Sequence, residues 1–105
     1  MTTQTLDSAR VTTQANVYFD GKCVSHTVTL ANGERKSVGV VLPAQLTFRT
    51  GEAEIMECVG GGCEYKLAGS DAWRRSGPGD KFSIPANSSF EIRVAEAYHY
   101  ICHYG

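Results

Sequence analysis

From Val17 onward, turn signals recur every eight to twelve residues, and no stretch between them carries apolar residues at helical spacing over three turns. A chain cut this way can build only short strands, so the 105 residues are expected to fold as one all-β domain. Asp20-Gly21 and Asn32-Gly33 read as turns, the latter the strongest two-residue hairpin signal present. Gly60-Gly61-Gly62, Ala68 to Asp71, Gly77 to Asp80 and Asn87-Ser88 mark further breaks, and Pro43 and Pro85 each stop a strand. The strands expected between them are Cys23–Leu30, Arg35–Leu42, Gln45–Thr50, Glu54–Val59, Cys63–Leu67, Ala72–Arg75, Lys81–Ile84, Ser89–Val94 and a last one from Tyr98, about ten in all. Alternation puts Tyr98, Tyr100, Cys102 and Tyr104 on one face of the last strand. It groups Leu46, Phe48 and Thr50 on one face of their strand, facing inward with Val38 and Val40, and puts Val24, His26, Val28 and Leu30 on the apolar face of theirs, with His26 expected as a hydrogen-bonded core residue. Residues 1–15 lack any period and read as a flexible N-terminal extension with room for a short ordered piece. Residues 16–105 form the domain.

Charge excludes some functions. Ten basic against eleven acidic residues give a net charge of −1, which argues against electrostatic binding of nucleic acid or of an anionic membrane. The strongest apolar run, Val38 to Leu42, is far short of the roughly 20 residues of a membrane helix. Residues 1–13 are polar and carry no secretory pattern, so the expected compartment is the cytoplasm. Cys23, Cys58, Cys63 and Cys102 show no zinc-ligand spacing and are expected as small buried thiols.

Two stretches carry the spacing of the paired motifs of the cupin jelly roll. In the second, Gly79, Pro85, Asn87 and Phe90 stand where cupins have Gly, Pro, Gly and a metal-binding His. The first, anchored on Gly61, places Glu54 at the cupin Glu and Phe48 and Thr50 at the two positions of His-x-His. The expected fold is therefore a single-domain cupin-like jelly-roll β-barrel. A transition ion in such a site needs two or three imidazoles and a carboxylate, and neither Phe48 nor Phe90 offers a lone pair. The barrel is expected to hold no metal. A second register, counted from Gly39, puts Gln45, Thr47 and Glu52 at the ligand positions and also lacks histidine.

The ordered series Asn16 to Lys22, Ser37 to Val40, Leu46 to Met56, Trp73, Gly79 to Pro85 and Tyr100 to Tyr104 resembles the small bacterial pyrimidine/purine nucleoside phosphorylases over residues 16–105. The resemblance implies phosphorolysis: inorganic phosphate, the co-substrate, attacks C1′ of a purine or pyrimidine nucleoside to give ribose 1-phosphate and the free base. It also implies a cofactor-free enzyme and a homodimer, with no nucleic-acid or membrane partner. The alternative reading is a non-catalytic cupin that binds or senses a small molecule.

Phosphorolysis of an N-glycosidic bond passes through an oxocarbenium-like state, so the site needs a carboxylate beside the sugar and a cation and hydroxyls for phosphate. Glu54 is the first candidate carboxylate, with a surface pair to Arg49 or Lys81 as its other use, and Glu52 at the barrel mouth is the second. Thr50 is a candidate donor to phosphate or ribose, and Tyr100 a further hydroxyl on the inward face. Lys22, Arg49, Arg93 and His103 are the candidate phosphate cations, with Lys22 preferred because it directly follows Tyr18 to Gly21, a stretch that carries the family resemblance. Phe48 and Phe90 are core residues first and platforms for a base second.

Overall fold

The computed structural model describes residues 4–105. The strands are β1 (Arg10–Val11), β2 (Asn16–Tyr18), β3 (Cys23–Thr29), β4 (Arg35–Val41), β5 (Ala44–Arg49), β6 (Glu54–Gly60), β7 (Cys63–Leu67), β8 (Arg74–Ser76), β9 (Lys81–Ile84), β10 (Ser89–Val94) and β11 (Tyr98–Tyr104). They form two antiparallel sheets. The first runs β1-β3-β4-β11-β6-β9, with β2 also paired to β3, and the second runs β5-β10-β7-β8. Pro43 interrupts the ladder where the chain leaves β4 for β5 in the facing sheet. The result is the cupin-like all-β architecture that the motif spacing implies.

Strand boundaries follow the turn signals to within a residue or two. The one shifted element is β8, which starts at Arg74 and leaves Trp73 ahead of it. The ordered piece of the N-terminal segment is β1, in which Arg10 and Val11 pair with Thr29 and Val28.

The core lies between the sheets. Cys23, Val41, Met56, Cys58, Phe82, Ile84, Tyr98, Tyr100 and Cys102 come from the first, and Cys63, Phe90, Ile92 and Val94 from the second. All four cysteines are buried free thiols, as expected. Leu46 and Phe48 pack against this core, so the first motif register holds, whereas Gln45 and Thr47 are exposed.

Two face assignments are corrected. On β4 the inward residues are Ser37, Gly39 and Val41, and Val38 and Val40 lie on the outer face. On β3, Cys23 and Ser25 point inward in place of Val24 and His26. Alternation separates two faces without saying which is inside, and here the more apolar face is the outer one. It is accommodated because the N-terminal segment runs over it: Val11 pairs with Val28, and Leu6, Ala9 and Val11 line a cavity of about 320 Å³ with Val28, Val38 and Ile101. His26 belongs to that contact, with Nδ1 3.1 Å from the Thr12 carbonyl.

The motif positions have backbone reasons. Gly61 has φ +67, and a Cβ there would fall 1.9 Å from the Ala97 carbonyl oxygen. Asn87, standing where cupins have Gly, has φ +53, a conformation that Asn tolerates better than other side-chain-bearing residues.

Candidate active site

A cavity of about 150 Å³ opens between the sheets at the end where β5, β6 and β10 meet the end of β2. Its walls differ in chemistry. Phe48 and Phe90 form an aromatic wall on the second sheet, with rings stacked at 5.4 Å. Ser25, Glu54, Tyr100, Cys102 and Tyr104 form a polar wall on the first. The register of β6 on β11 puts Glu54 opposite Tyr104 and Met56 opposite Cys102, which sets the carboxylate among the hydroxyls. Tyr100 fits because Gly39 faces it: a Cβ at Gly39 would lie 2.8 Å from the Tyr100 hydroxyl.

Burial pushes the Glu54 carboxyl above its usual range, the Cys102 thiol opposes that rise by hydrogen bonding, and the Glu52 carboxylate adds to it. Burial also raises the phenols and thiols around it: Tyr104 and Cys102 are both pushed up to about 12, and Tyr100 is raised too. At neutral pH these groups are neutral donors. The Ser37 and Tyr104 hydroxyls lie 2.6 Å apart, and the Tyr100 hydroxyl lies 3.5 Å from the Cys23 sulfur. Among the described residues, Glu54 is the one carboxylate lining this cavity, and Arg49, exposed at the end of β5, is its one cation.

The structure brings together five of the residues singled out from sequence, Glu54, Phe48, Phe90, Tyr100 and Arg49, and leaves Thr50, Glu52, Lys22, Arg93 and His103 outside. Thr50 follows the end of β5, where alternation stops. Its Oγ1 donates to the Pro85 carbonyl at 2.7 Å and accepts from the Ser88 N–H at 2.9 Å, clasping the β9–β10 turn. Glu52 pairs with Arg35 at 2.8 Å on the surface. Lys22 is exposed and lines no part of the cavity, its backbone N–H closing the turn onto the Phe19 carbonyl.

Two other candidate cations are engaged elsewhere. Arg93 is held by Glu64 at 3.0 Å and lies 3.9 Å over Trp73, and His103 is 2.8 Å from Glu57. Arg49 makes no ion pair among the described residues, and Glu54 pairs with neither Arg49 nor Lys81.

Tyr18, Ser25, Cys102 and Tyr104 were not singled out. Cys102 and Tyr104 share the inward face of Tyr100 and were legible from that alternation, Ser25 only once the inner face of β3 was known, and Tyr18 left no signal. As a metal site the cavity is poorly equipped. Phe48 and Phe90 occupy the histidine positions, Thr50 turns away, and one carboxylate with neutral hydroxyls does not make a transition-ion donor set.

Comparison with known proteins accords with this arrangement. Residues 13–104 match the family model described as pyrimidine/purine nucleoside phosphorylase. A pyrimidine/purine nucleoside phosphorylase of Ralstonia nicotianae is 71% identical over 104 residues, 99% of each chain. Its counterpart in Paracidovorax citrulli is 70% identical over 105 residues, all of both chains. Among solved structures, a protein of unknown function from Acinetobacter sp. ADP1 superposes with a TM-score of 0.94 at 40% identity, covering 99% of this chain and 100% of that one. A putative ethanolamine utilization protein Q from Salmonella typhimurium shares the fold alone, with a TM-score of 0.66 at 13% identity, covering 89% and 93%. On the family match and on identity sustained along the whole chain, this protein belongs to the pyrimidine/purine nucleoside phosphorylase family.

Proposed function

We propose that the chain catalyses phosphorolysis of purine and pyrimidine nucleosides in the cavity between its sheets. The observation that carries this reading is a cavity with an aromatic wall, a polar wall, one carboxylate and one cation, in a chain 71% identical to a nucleoside phosphorylase. A phosphate oxygen held by Arg49 attacks C1′. The C1′–N bond breaks, its electron pair leaves with the base nitrogen, and that nitrogen takes a proton from the medium or a neighbouring donor. Ionised Glu54 stabilises the positive charge that builds on the sugar between these events, an interaction stronger in the transition state than with bound nucleoside. The Tyr100 and Tyr104 hydroxyls are positioned for the ribose hydroxyls. Phe48 and Phe90 offer the base a π surface without hydrogen-bonding partners. Weak demands on the base edge fit a broad substrate range, since sharp selection needs placed polar groups.

The reading includes no metal or organic cofactor, on the donor set described above. The test is release of free base from uridine and from adenosine. Release is expected only when inorganic phosphate is present, and undiminished after chelation. Saturable nucleoside binding with no turnover would replace the enzyme with a binding module, and loss of activity on chelation with rescue by one equivalent of a metal would overturn the cofactor-free mechanism.

A homodimer is part of the same proposal. Val11 and Val17 stand exposed on β1 and β2, at the margin of the first sheet, where a second copy would cover them. Light scattering at micromolar concentration is expected to give two chains per particle, and a single chain would contradict it. The four free thiols support a reducing, cytoplasmic setting.

A further inference from the structure

The cavity of about 150 Å³ is too small for its ligands. Sites for molecules of nucleoside size enclose on the order of 300–1,000 Å³, and phosphate must enter as well. For the site to enclose both, one wall has to move. Ser25, Met56, Phe90, Tyr100 and Cys102 are held in strands and buried, so they are not that wall.

The lining residues that stand exposed are Arg49, at the end of β5, and Tyr18, the last residue of β2, which leads into the β2–β3 turn. Tyr18, which lines the cavity, and Phe19, which follows it, are 48% and 42% exposed. Phe19 has φ +53, Asp20 φ +54 and Gly21 φ +90, three consecutive residues in left-handed backbone. For a bulky side chain this conformation is strained, and it persists only where the surroundings hold it. What holds Phe19 is a hydrogen bond from the Lys22 N–H to its carbonyl at 3.1 Å and the edge of its ring on Phe48 at 5.2 Å. Phe19 is also the outer end of an aromatic row. Tyr65 stacks on Phe82 at 3.7 Å, Phe82 meets Phe90 edge-on at 5.7 Å, Phe90 stacks on Phe48, and Phe48 carries Phe19. Phe82 and Phe90 are fixed in the core, and Phe19 is the member of the row that can leave without opening it.

We propose that Phe19 is the base clamp of the nucleoside site: its ring moves off Phe48 to admit the nucleoside and closes on the nucleobase, gripping purine and pyrimidine alike by their π faces. This deepens the phosphorolysis reading and rests on it. An aromatic grip tolerates every base because every base has a π face.

The test is steady-state kinetics of wild type and Phe19 variants with uridine and adenosine. Phe19→Ala is expected to raise KM for both nucleosides about tenfold, within the range found for single base–aromatic stacks, with kcat and the phosphate KM within about twofold of wild type, the pattern of lost substrate binding. Phe19→Leu, which keeps apolar bulk without a π face, is expected to show most of the same rise and serves if the alanine variant folds poorly. Phe19→Tyr is expected to restore nucleoside KM. Nucleoside KM values unchanged in both Phe19→Ala and Phe19→Leu would overturn the clamp, as would a phosphate KM rising in step with them. Wild-type protein without phosphate-dependent turnover would instead overturn the reading beneath it, so the two failures are distinguishable.

Discussion

Glu54→Gln is expected to lower turnover by about a hundredfold, equivalent to roughly 3 kcal/mol of barrier, while leaving the fold intact and the protein as stable as wild type or more so. The substitution keeps the shape of the side chain and removes the charge that would face the developing oxocarbenium ion. The stability half of the expectation follows from linkage. Burial raises the folded-state pKa of Glu54 above its unfolded value, so the folded chain binds that proton more tightly. The associated stability is present below the unfolded pKa and is lost as pH rises through the folded one. At neutral pH wild type therefore carries a half-buried carboxylate at a cost that the amide lacks. Reduced activity with an unreduced thermal midpoint marks a residue kept for chemistry, whereas a structural Glu54 would lose stability on substitution. The pH profile gives a second readout. Wild-type kcat/KM should rise with pH through a limb above the ordinary carboxylate range, and the Gln variant should lack that limb. Because the Glu52 charge contributes to the rise, Glu52→Gln should move the limb toward lower pH and leave the plateau rate unchanged. Wild-type phosphorolysis by Glu54→Gln would remove the carboxylate from the mechanism.

The strands and their turns were legible because they rest on local rules. Asn32-Gly33, Pro43, Pro85 and the Gly60–Gly62 run each act through backbone freedom or a missing donor, and the structure turns or breaks its ladders where they stand. The inner and outer faces of β3 and β4 were not legible, because burial is decided by what packs against a face. Val28 and Val38 are apolar and lie outside because residues 4–11 cover them, a contact between distant parts of the chain that no local pattern encodes. The same limit explains Thr50. Its type and spacing match a cupin ligand position, but β5 ends one residue earlier, and the hydroxyl satisfies the β9–β10 turn.

The candidate site divided along the same line. Phe48, Phe90 and Tyr100 sit inside strands and Glu54 opens β6; alternation or motif spacing points each to the interior, and the cavity holds all four. Residues at strand ends and in turns obey no such period. Lys22 and Arg49 are each one residue from a strand boundary or at one, and the sequence preference for Lys22 rested on the neighbouring Tyr18 to Gly21 stretch, not on any period that places its side chain. The choice is made by the loop after β2, which closes back on Phe19 and leaves Lys22 outside the cavity while Arg49 stays on its rim.

Arg49→Gln is accordingly expected to raise the phosphate KM by about a hundredfold, the consequence of losing a charge-assisted contact of roughly 2–3 kcal/mol, with nucleoside KM changed little. Arg49 is suited to this part because its guanidinium makes no ion pair among the described residues, so no internal carboxylate competes with phosphate for it. Its exposure at the mouth allows phosphate to arrive from solvent onto a cation whose own desolvation is small, with Glu54 deeper in the same cavity. That order matters, because an anionic nucleophile must approach a site that already holds a carboxylate, and a cation on the entry path offsets the repulsion. Arg49→Lys keeps a point charge and loses the planar fork, so it should recover part of the phosphate affinity and not all of it. Lys22→Gln, the change that sequence spacing alone would favour, should leave the phosphate KM near wild type. A normal phosphate KM in Arg49→Gln together with a raised one in Lys22→Gln would move the phosphate subsite to the other side of the β2–β3 turn and require the loop to refold around it.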